Sequence, residues 1–456
     1  MIEISSCYCQ LKLESNDFTK ILMEMNESGF KSLVWQSKLA MLSSAGISDL
    51  NDDILHWIGF YRIKRDHAYV YHADIFVEGE TIVYVLIETA RYNHEYKRVE
   101  IGVFSENKQH AMQFLRKYAE QFEASVKLKL DGRRVRHMEF KWLLTPTNDI
   151  IDTQVTFEKK FKFASLNELD SQAALRIRDV ETRHLLFKIA KQDPTKIFQF
   201  DSIRYASKKG FFDRLQSWDL IKPKLLIMCK ENASKIRLVE SRNVLDGADF
   251  SSQKCKKCGR IWKNELLKDV YQLSELGKKM TRASHWMTVL VTDVLVSKGI
   301  SLNSIIWNLS EASEEVDCMV QFHDKVWIFE FKDRNFEAGD AYALHYRGIK
   351  FQAYRKIIVT TGKVSSEARK VFSDLSRTVS SSFSITPIYI EGLENLEEDI
   401  SILVKNETLL YLSEKAKNIS QSASMDFSPI FLNVFGEYHV ETRNGNKEKI
   451  NIFRLF

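Results

Sequence analysis

Two short runs of apolar and β-branched residues, 316–322 and 326–332, constrain the fold of this chain more than any other feature. The polar triplet 323–325 separates them, and this pattern predicts a β-hairpin. A connecting loop of two or four residues places Asp317 directly across from Glu330. We therefore predict that two carboxylates face each other near the open end of this hairpin.

A third charged side chain joins these two acids. Side chains alternate along a strand, so Lys332 shares a face with Glu330. Opposed carboxylates repel each other unless a cation lies between them, and hard divalent ions such as Mg²⁺ bind oxygen ligands of this kind. An adjacent ammonium group orients or activates a water molecule and neutralises charge in a transition state. We predict Asp317, Glu330 and Lys332 as catalytic residues, with Asp317 and Glu330 as ligands of Mg²⁺ or Mn²⁺.

A structural interpretation of the same residues is the alternative. Glu330 and Lys332 would then be exposed on an edge strand, and Asp317 would only begin its strand. The strand of Val, Trp, Ile and Phe that precedes Glu330 is typical of the interior of a sheet, where an unpartnered charge is costly. This placement favours the catalytic interpretation.

The elements around the hairpin follow a definite order. Residues 282–297 have helical apolar spacing, and Gly299 suits the C-terminal end of that helix. After the hairpin, helices and strands alternate. The segments predicted there are a helix at 341–354, a strand at 357–362, a helix start at 365–369 and a strand at 388–390.

Asp317, followed thirteen positions later by Glu330-Phe331-Lys332, resembles the signature of the PD-(D/E)xK restriction-endonuclease-like superfamily. The order of the elements after the hairpin is similar to that of Mrr-type restriction endonucleases, and the resemblance covers residues 280–400. It implies a mixed β-sheet flanked by helices, metal-dependent hydrolysis of DNA phosphodiester bonds, and a role in bacterial restriction or antiviral defence.

The helix before the hairpin departs from that family pattern. Mrr-type enzymes commonly place a Glu there as a further acid, whereas this helix carries His285 and Asp293. We take both as candidate accessory residues, together with Gln352, which occupies a place where some relatives use glutamine. A surface or packing role is the alternative for each of the three.

Upstream of the hairpin, three short helical patterns at 182–191, 200–208 and 210–218 precede two apolar runs at 225–228 and 236–239. Three helices followed by a two-stranded wing are typical of a winged helix-turn-helix, whose third helix contacts DNA. A small helical linker domain with solvated charges is an equally open alternative. The candidate DNA-binding residues, at or near the start of the third helix, are Lys208, Lys209 and Arg214.

A CxxC motif at Cys255 and Cys258 indicates half of a zinc site. Cys229 is the one further cysteine upstream that could join it, and Asn232 stands where a fourth ligand is expected. Both a bound Zn²⁺ and a degenerate ribbon without metal fit this pattern. A redox role is less well supported, because no thioredoxin-like pattern surrounds the motif.

The N-terminal region has the pattern of a mixed α/β domain that acts as a sensor or specificity domain. Its segment 73–90 predicts a hairpin with acids at both ends, which fits either an ordinary half-buried hairpin or an inactive nuclease-like unit. A nuclease would place Lys where Ala90 stands.

At 456 residues the chain is too long for one ordinary core, so we predict an α/β multidomain protein. A net charge of +5 permits a nucleic-acid partner without requiring one. The predicted domains are 1–170 (N-terminal α/β), 171–245 (winged-helix-like), 246–279 (CxxC connector), 280–400 (nuclease) and 401–456 (C-terminal extension).

We expect a cytoplasmic protein with no membrane partner, since the sequence contains neither a long apolar run nor a basic and apolar leader. The expected function is that of a Mg²⁺-dependent DNA endonuclease, with RNA as an open alternative substrate and a homodimer or a partner defence protein as open assembly states. A non-catalytic DNA-binding or regulatory protein on a nuclease scaffold is the alternative, and a protein-interaction scaffold is a third.

Overall fold

The computed structural model describes residues 3–46, 63–65, 68–89, 97–130, 135, 138–145, 160–190, 198–199, 209–311, 314–323, 325–378, 387–423, 426–435, 440–441 and 447–448. The chain divides into two compact units, residues 1–154 with 397–456, and residues 155–396. Both contain sheets and helices, which confirms the α/β class and a chain of more than one domain. The helix predicted at 200–208 lies outside the described residues.

The first half of the described chain contains both strands and helices. Its elements are β1 (Glu3–Leu11), α1 (Ser15–Glu27), α2 (Leu33–Ser44), β2 (Ile63–Arg65), β3 (Ala68–Glu78), β4 (Thr81–Thr89), β5 (Lys97–Ser105), α3 (Lys108–Lys129), β6 (Leu143–Thr145), β7 (Lys160–Phe163), α4 (Glu168–Ile177), α5 (Val180–Ala190), β8 (Phe198–Gln199), α6 (Lys209–Ser217), β9 (Ile221–Met228) and β10 (Lys235–Val239).

The second half also contains both strands and helices. Its elements are α7 (Ala248–Ser251), β11 (Leu266–Leu273), α8 (Glu275–Thr281), α9 (His285–Ser297), β12 (Ile305–Glu311), β13 (Glu314–Phe322), β14 (Lys325–Lys332), α10 (Ala338–Lys350), β15 (Arg355–Thr360), α11 (Ser366–Thr378), β16 (Ile388–Glu391), α12 (Leu396–Ala423), α13 (Ser428–Phe435), β17 (Val440–Glu441) and β18 (Lys447–Glu448).

The unit of residues 1–154 and 397–456 is built on an antiparallel sheet in the order β2-β3-β4-β5-β1-β6. Strand β4 is apolar from Ile82 to Ile87, and every one of these side chains is buried. Alternate residues therefore enter two different cores. Residues of α1 and α3 cover one face of the sheet, and residues of α12 and α13 cover the other.

The predicted hairpin at 73–90 consists of β3 and β4, which turn at Gly79. Asp74 at its start is buried, and its carboxylate accepts hydrogen bonds from the hydroxyl of Ser32 and the N–H of Val34. Ser32 is the N-cap of α2, so Asp74 holds the start of that helix. This contact gives the acid a structural role, and Ala90 lies outside the described residues.

The unit of residues 155–396 contains a mixed six-stranded sheet in the order β16-β15-β14-β13-β12-β7. Strands β14, β15 and β16 run parallel to one another, whereas β12, β13 and β14 form an antiparallel meander. Strand β7, which lies inside the predicted N-terminal domain, pairs with β12. The sheet therefore draws residues from both sides of the predicted boundary at residue 170.

The hairpin of β13 and β14 has the register predicted from its loop length. Cys318 pairs with Phe329 and Phe322 pairs with Lys325, which confirms the pairing of these strands. The ladder ends at Cys318 and Phe329, one residue short of the two acids, and the same register continued by one step places Asp317 opposite Glu330. The elements that follow, from α10 to β16, have the predicted type and order.

A second sheet in the same unit has the order β10-β9-β11-β8. The predicted wing of β9 and β10 is present as an antiparallel pair. Strand β9 also pairs along its whole length with β11, from the predicted connector. The structure thus differs from the predicted boundary at residue 245, because backbone hydrogen bonds of β11 complete the sheet that β9 begins.

Helices α4, α5 and α8 to α11 lie around these two sheets. Helix α9 carries nine buried residues, as expected for a helix surrounded by protein on all sides. Trp307 of β12 donates its indole N–H to Thr292 of this helix over 2.9 Å. Among the described residues, none of the helices combines the length and the apolar character that crossing a bilayer requires.

Candidate active site

The hairpin brings Asp317 and Glu330 to one wall of a cavity of about 910 Å³. Asp317 lies in β13, and its Oδ2 accepts the backbone N–H of Phe331 over 2.8 Å. This hydrogen bond crosses from β13 to β14 and fixes the carboxylate beside the end of the neighbouring strand. The two acids and Lys332 all line the same cavity, as the sequence predicts.

Glu330 is held by two cations from different elements. Lys332, two residues further along β14, places its Nζ 2.7 Å from Oε1 of Glu330. Arg347 of α10 places Nη1 2.6 Å from Oε2. Only 3% of Glu330 is exposed, and charge-assisted hydrogen bonds of this kind offset the cost of burying a carboxylate.

The acidity of Asp317 is strongly perturbed. Burial, together with the negative charge of Glu330, raises the pKa of Asp317 to about 7 from an ordinary value of 3.8. The N–H of Phe331 and the charges of Lys332 and Arg347 oppose this rise in pKa. Two carboxylates therefore share this site under mutual repulsion, which is the situation that a divalent cation relieves.

A second ion pair lies next to the first. Both guanidinium nitrogens of Arg334 contact the carboxylate of Asp340, over 2.8 and 2.9 Å. Lys332 lies 3.8 Å from the same carboxylate, so this ammonium group is placed between Glu330 and Asp340. Burial opposes ionisation of Asp340, but the hydrogen bond from Arg334 helps to lower its pKa below the ordinary value.

Helix α5 contributes basic side chains to the lining of the cavity. Arg183 of this helix lies 3.1 Å from the carboxylate of Asp333, which also accepts a hydrogen bond from Thr361 over 3.0 Å. Asp333 directly follows β14, so this ion pair connects α5 to the end of the β13–β14 hairpin. Six basic residues line the cavity, Arg183, His184, Lys188, Lys332, Arg334 and Arg347.

The backbone at the start of α9 also faces the cavity. Ala283 and Ser284 are consecutive residues in the left-handed region, with φ of 47° and 54°, and both line the cavity. Non-glycine residues in this conformation cost about 1–3 kcal/mol each and cluster at functional sites. The first N–H groups of α9 lack helical partners, and helix N-termini of this kind bind anions.

The three candidate accessory residues are not among those that line the cavity. His285 packs edge-on against Trp307, with ring centroids 5.3 Å apart. Asp293 is exposed and accepts a hydrogen bond from Ser171 over 3.4 Å. Gln352 is exposed and follows the end of α10 with a φ of 49°. None of these contacts connects them with Asp317 or Glu330.

Two of the candidate DNA-binding residues, Lys209 and Arg214, belong to α6 and are not among the residues that line the cavity. Lys208 falls outside the described residues, and Lys209 begins the helix. Arg214 is exposed, and its guanidinium lies 5.3 Å from the ring centroid of Phe211. Phe212 and Leu215 are fully buried, so the helix presents Arg214 on its solvent side.

The three candidate zinc ligands, by contrast, come together. The sulfur atoms of Cys229, Cys255 and Cys258 and a carboxylate oxygen of Glu265 all lie within 4.8 Å of one another. This is the one group of at least three such residues found within the described part of the chain. The fourth member comes from the residue before β11, and not from position 232.

Sequence reasoning missed Arg347, Arg183 and Glu265. Arg347 carries a weak signal, because it is a charged residue between Leu344 and Gly348 on the buried face of α10. The contacts of Arg183 and Glu265 depend on how distant segments pack, and the sequence offered no local pattern for them.

No protein-family model matches this chain, and no curated protein matches it in a sequence comparison. The functional interpretation therefore depends on the geometry and charge of the site. Two carboxylates and an ammonium group lie at the end of a buried hairpin, in an open cavity that six basic residues and two further acids, Glu315 and Asp333, also line.

Proposed function

We propose that the segment 280–400 is the core of a metal-dependent nuclease that hydrolyses DNA phosphodiester bonds. The observation that carries this proposal is the convergence of Asp317, Glu330 and Lys332 on one wall of an open cavity. Buried strands rarely end in two acids and a lysine unless these side chains have partners or a ligand. A polyanionic substrate also suits the six basic residues in the lining of this cavity.

The topology of the sheet supports the PD-(D/E)xK assignment. An antiparallel pair, β13 and β14, is followed by the helix α10 and then by β15, parallel to β14. The acidic and basic residues lie at the C-terminal end of β14, beside the start of the connection to α10. A role in restriction or antiviral defence would follow from the resemblance stated above.

The donor set fits a hard divalent cation. Asp317 and Glu330 would hold Mg²⁺ or Mn²⁺ with oxygen atoms, and such ions commonly keep several waters beside one or two carboxylates. When bound, the ion would polarise a phosphoryl oxygen and make water a stronger nucleophile. Burial and the neighbouring charge of Glu330 raise the pKa of Asp317, so a cation bound beside it would stabilise its ionised form.

The remaining residues have roles that follow from their positions. Lys332 lies next to Glu330 and would neutralise negative charge that develops on the phosphoryl group. Arg347 orients the Glu330 carboxylate from α10. Arg183, His184 and Lys188 would bind the backbone phosphates on either side of the scissile bond. The first N–H groups of α9 would donate hydrogen bonds to a phosphate oxygen.

A second candidate function is a DNA-binding or regulatory protein that keeps the scaffold without catalysis. The observation in its favour is that each oxygen of Glu330 already has a cationic partner, Lys332 or Arg347. Such a site is neutralised without a metal. This candidate would bind DNA through the same cavity but would not cleave it.

Cleavage assays distinguish the two functions. Purified protein is incubated with plasmid DNA, single-stranded DNA and RNA, with Mg²⁺, Mn²⁺ or EDTA. The nuclease proposal predicts metal-dependent cleavage that falls about 100-fold or more in Lys332→Ala and in Glu330→Gln. Lys325→Ala is a matched control, because Lys325 begins the same strand but does not line the cavity.

The outcome decides between the candidates. Cleavage by wild type and by Lys325→Ala, with loss in Lys332→Ala and retained DNA binding, supports the nuclease. DNA binding without cleavage in either metal supports the non-catalytic protein. Equal cleavage by wild type and Glu330→Gln would assign the activity to a contaminant and overturn the proposal.

A further inference from the structure

Outside the proposed active site, Cys229, Cys255 and Cys258 form a compact cluster with Glu265. Cys229 directly follows β9, and Glu265 directly precedes β11. The register of these strands pairs Met228 with Leu266, so the sheet itself brings Cys229 and Glu265 to the same edge. Two of the four members are therefore positioned by a regular backbone ladder.

The other two members come from a tight turn. Cys255 accepts the N–H of Gly259 over 2.8 Å with its carbonyl, and donates its own N–H to Arg260 over 2.7 Å. Gly259 has a φ of 74°, a conformation that favours glycine. The N–H groups of Lys257 and Cys258 donate hydrogen bonds to the sulfur of Cys255. These donors stabilise a thiolate and orient it towards the cluster.

The four side chains of this cluster are largely buried and point towards one another. Cys229, Cys255 and Glu265 are 0%, 4% and 4% exposed, and the Cys258 sulfur lies 2.6 Å from Oε1 of Glu265. The other oxygen of Glu265 accepts the N–H of Lys230 over 2.8 Å. A buried carboxylate is thus aimed, by a backbone hydrogen bond, at three sulfur atoms of which none forms a disulfide.

We propose that these four residues bind one structural Zn²⁺ with a set of three thiolates and one carboxylate. Four protein ligands fill a tetrahedral site, which is the arrangement of structural zinc and leaves no position for a substrate. Two thiolates from a CxxC turn, with a third from a strand end, are soft ligands that favour zinc over Mg²⁺. This site is independent of the proposed nuclease chemistry.

The surroundings explain why a metal is needed there. Between β10 and β11 the chain has short helical turns, α7 and an isolated β-bridge of Lys254 with Ile261, and its apolar core is small. That core centres on Trp262 and Leu245. A bound metal would join this segment to β9 and β11, and would stabilise a region that buries little apolar surface.

Metal analysis of the full-length chain, purified after growth with trace zinc and without a metal-affinity tag, tests the proposal. Wild type should retain about one equivalent of zinc per chain, and Co²⁺ substitution should give the visible bands of tetrahedral thiolate coordination. Cys258→Ser should lose the metal. Cys7→Ser is the control, because Cys7 lies in the other unit and should leave zinc content unchanged.

Competition with a chromogenic chelator tests Glu265 as a direct ligand. Zinc affinity should fall more than about 100-fold in Glu265→Gln, beyond the roughly 10–100-fold that loss of an outer-shell partner gives. Glu265→Cys should bind zinc at least as tightly as wild type. Glu275→Gln, an exposed change on the adjacent helix α8, is the matched control.

Three results would overturn the assignment. In the first, wild-type protein purified without zinc fails to bind added zinc. In the second, the Cys258→Ser variant keeps a full equivalent of zinc. In the third, two of the three cysteines form a disulfide in the native protein. Because the first and third are measured on wild type, the proposal can be refuted even where a variant fails to fold.

Discussion

Arg347 and Glu330 form an ion pair that joins α10 to β14, with Nη1 of the arginine 2.6 Å from Oε2 of the glutamate. Lys332 contacts the other carboxylate oxygen of Glu330 over 2.7 Å. The acid is therefore held from two sides, once by its own strand and once by the helix that follows. In the proposed site Arg347 would position Glu330, and it would also compete with a bound metal for that carboxylate.

The two roles of Arg347 predict that its loss slows cleavage and at the same time lowers the metal requirement. In Arg347→Ala the maximal cleavage rate should fall about 10–100-fold, because Glu330 loses the group that orients it. The Mn²⁺ concentration for half-maximal activity should fall as well, because a competing cation is gone. A titration of cleavage rate against Mn²⁺ measures both.

The control for Arg347 is Lys350→Ala, in the last turn of the same helix and outside the cavity lining. It should change neither the rate nor the metal dependence. If Arg347→Ala raises the metal requirement instead of lowering it, Arg347 supports the metal site without competing for Glu330.

The raised pKa of Asp317 predicts that the free energy of unfolding depends on pH when EDTA keeps the protein free of metal. Its pKa of about 7 in the folded chain, against an ordinary 3.8, means that the unfolded chain releases this proton first as pH rises. The contribution of Asp317 therefore becomes destabilising between about pH 4 and pH 7, and the cost stays constant above pH 7. Neutralising the side chain should remove this loss.

Asp317→Asn should accordingly melt a few degrees above wild type at pH 8, since about 1 kcal/mol shifts the Tm of a domain of this size by about 2–4 °C. At pH 4 the two proteins should melt together. Adding Mn²⁺ at pH 8 should stabilise wild type and leave Asp317→Asn unchanged. Equal stability of the two proteins at both pH values would show that Asp317 ionises normally.

The candidate site divides into parts that the sequence could predict and parts that it could not. The facing of Asp317 and Glu330 followed from loop length and strand alternation, which are local rules. The contacts of Arg183 and Arg347 arise where helices pack over the hairpin, and no short-range rule sets them. The sequence therefore predicted the two acids and Lys332, but not the arginines that contact Glu330 and Asp333.

The same distinction applies to the fold. The alternation of elements from α10 to β16 was predicted, because each is a separate run with its own periodicity. The pairing of β7 with β12 and of β9 with β11 joins segments far apart in the chain. For the same reason, Glu265 could not be recognised as the neighbour of Cys229.

Removing the charge of Lys415 in α12 should strongly reduce the stability of the unit of residues 1–154 and 397–456. Its Nζ lies 3.1 Å from Oε1 of Glu100, which also accepts the hydroxyl hydrogen bond of Tyr84 over 2.6 Å. Only 3% of Glu100 is exposed. Lys415→Met leaves a buried carboxylate without its main counter-charge and should cost about 3–5 kcal/mol in chemical denaturation.

Acid titration gives this prediction a second measurement. Burial of Glu100 opposes its ionisation, but Lys415, Arg98 and Tyr84 together lower its pKa to about 2 from 4.5. Its stabilising effect is thus present above pH 4.5 and is lost as pH falls towards 2. Lys415→Met should show less of this acid loss. Lys127→Met, which removes an exposed ion pair with Glu123, should cost less than about 1 kcal/mol.

Gly277 of α8 lies where a side chain cannot fit. A Cβ atom at this position would lie 2.1 Å from the carbonyl oxygen of Leu220. That oxygen accepts the N–H of Ser274, and the Ser274 hydroxyl in turn accepts the N–H of Gly277 over 2.9 Å. The obstructing atom is therefore backbone that is itself hydrogen-bonded, and it cannot move aside without breaking the cap of α8.

Gly277→Ala should consequently destabilise the unit of residues 155–396 by about 1–3 kcal/mol or more, as overpacking does. The matched control is Gly339→Ala in α10, where a Cβ atom would meet nothing within 4 Å. Alanine favours the helix at such a position, and the control should gain about 0.4–1 kcal/mol. Urea denaturation measures both changes in the free energy of unfolding. A loss for Gly277→Ala and a gain for Gly339→Ala are expected only if α8 approaches Leu220 this closely. A gain in stability for both variants would refute the close approach.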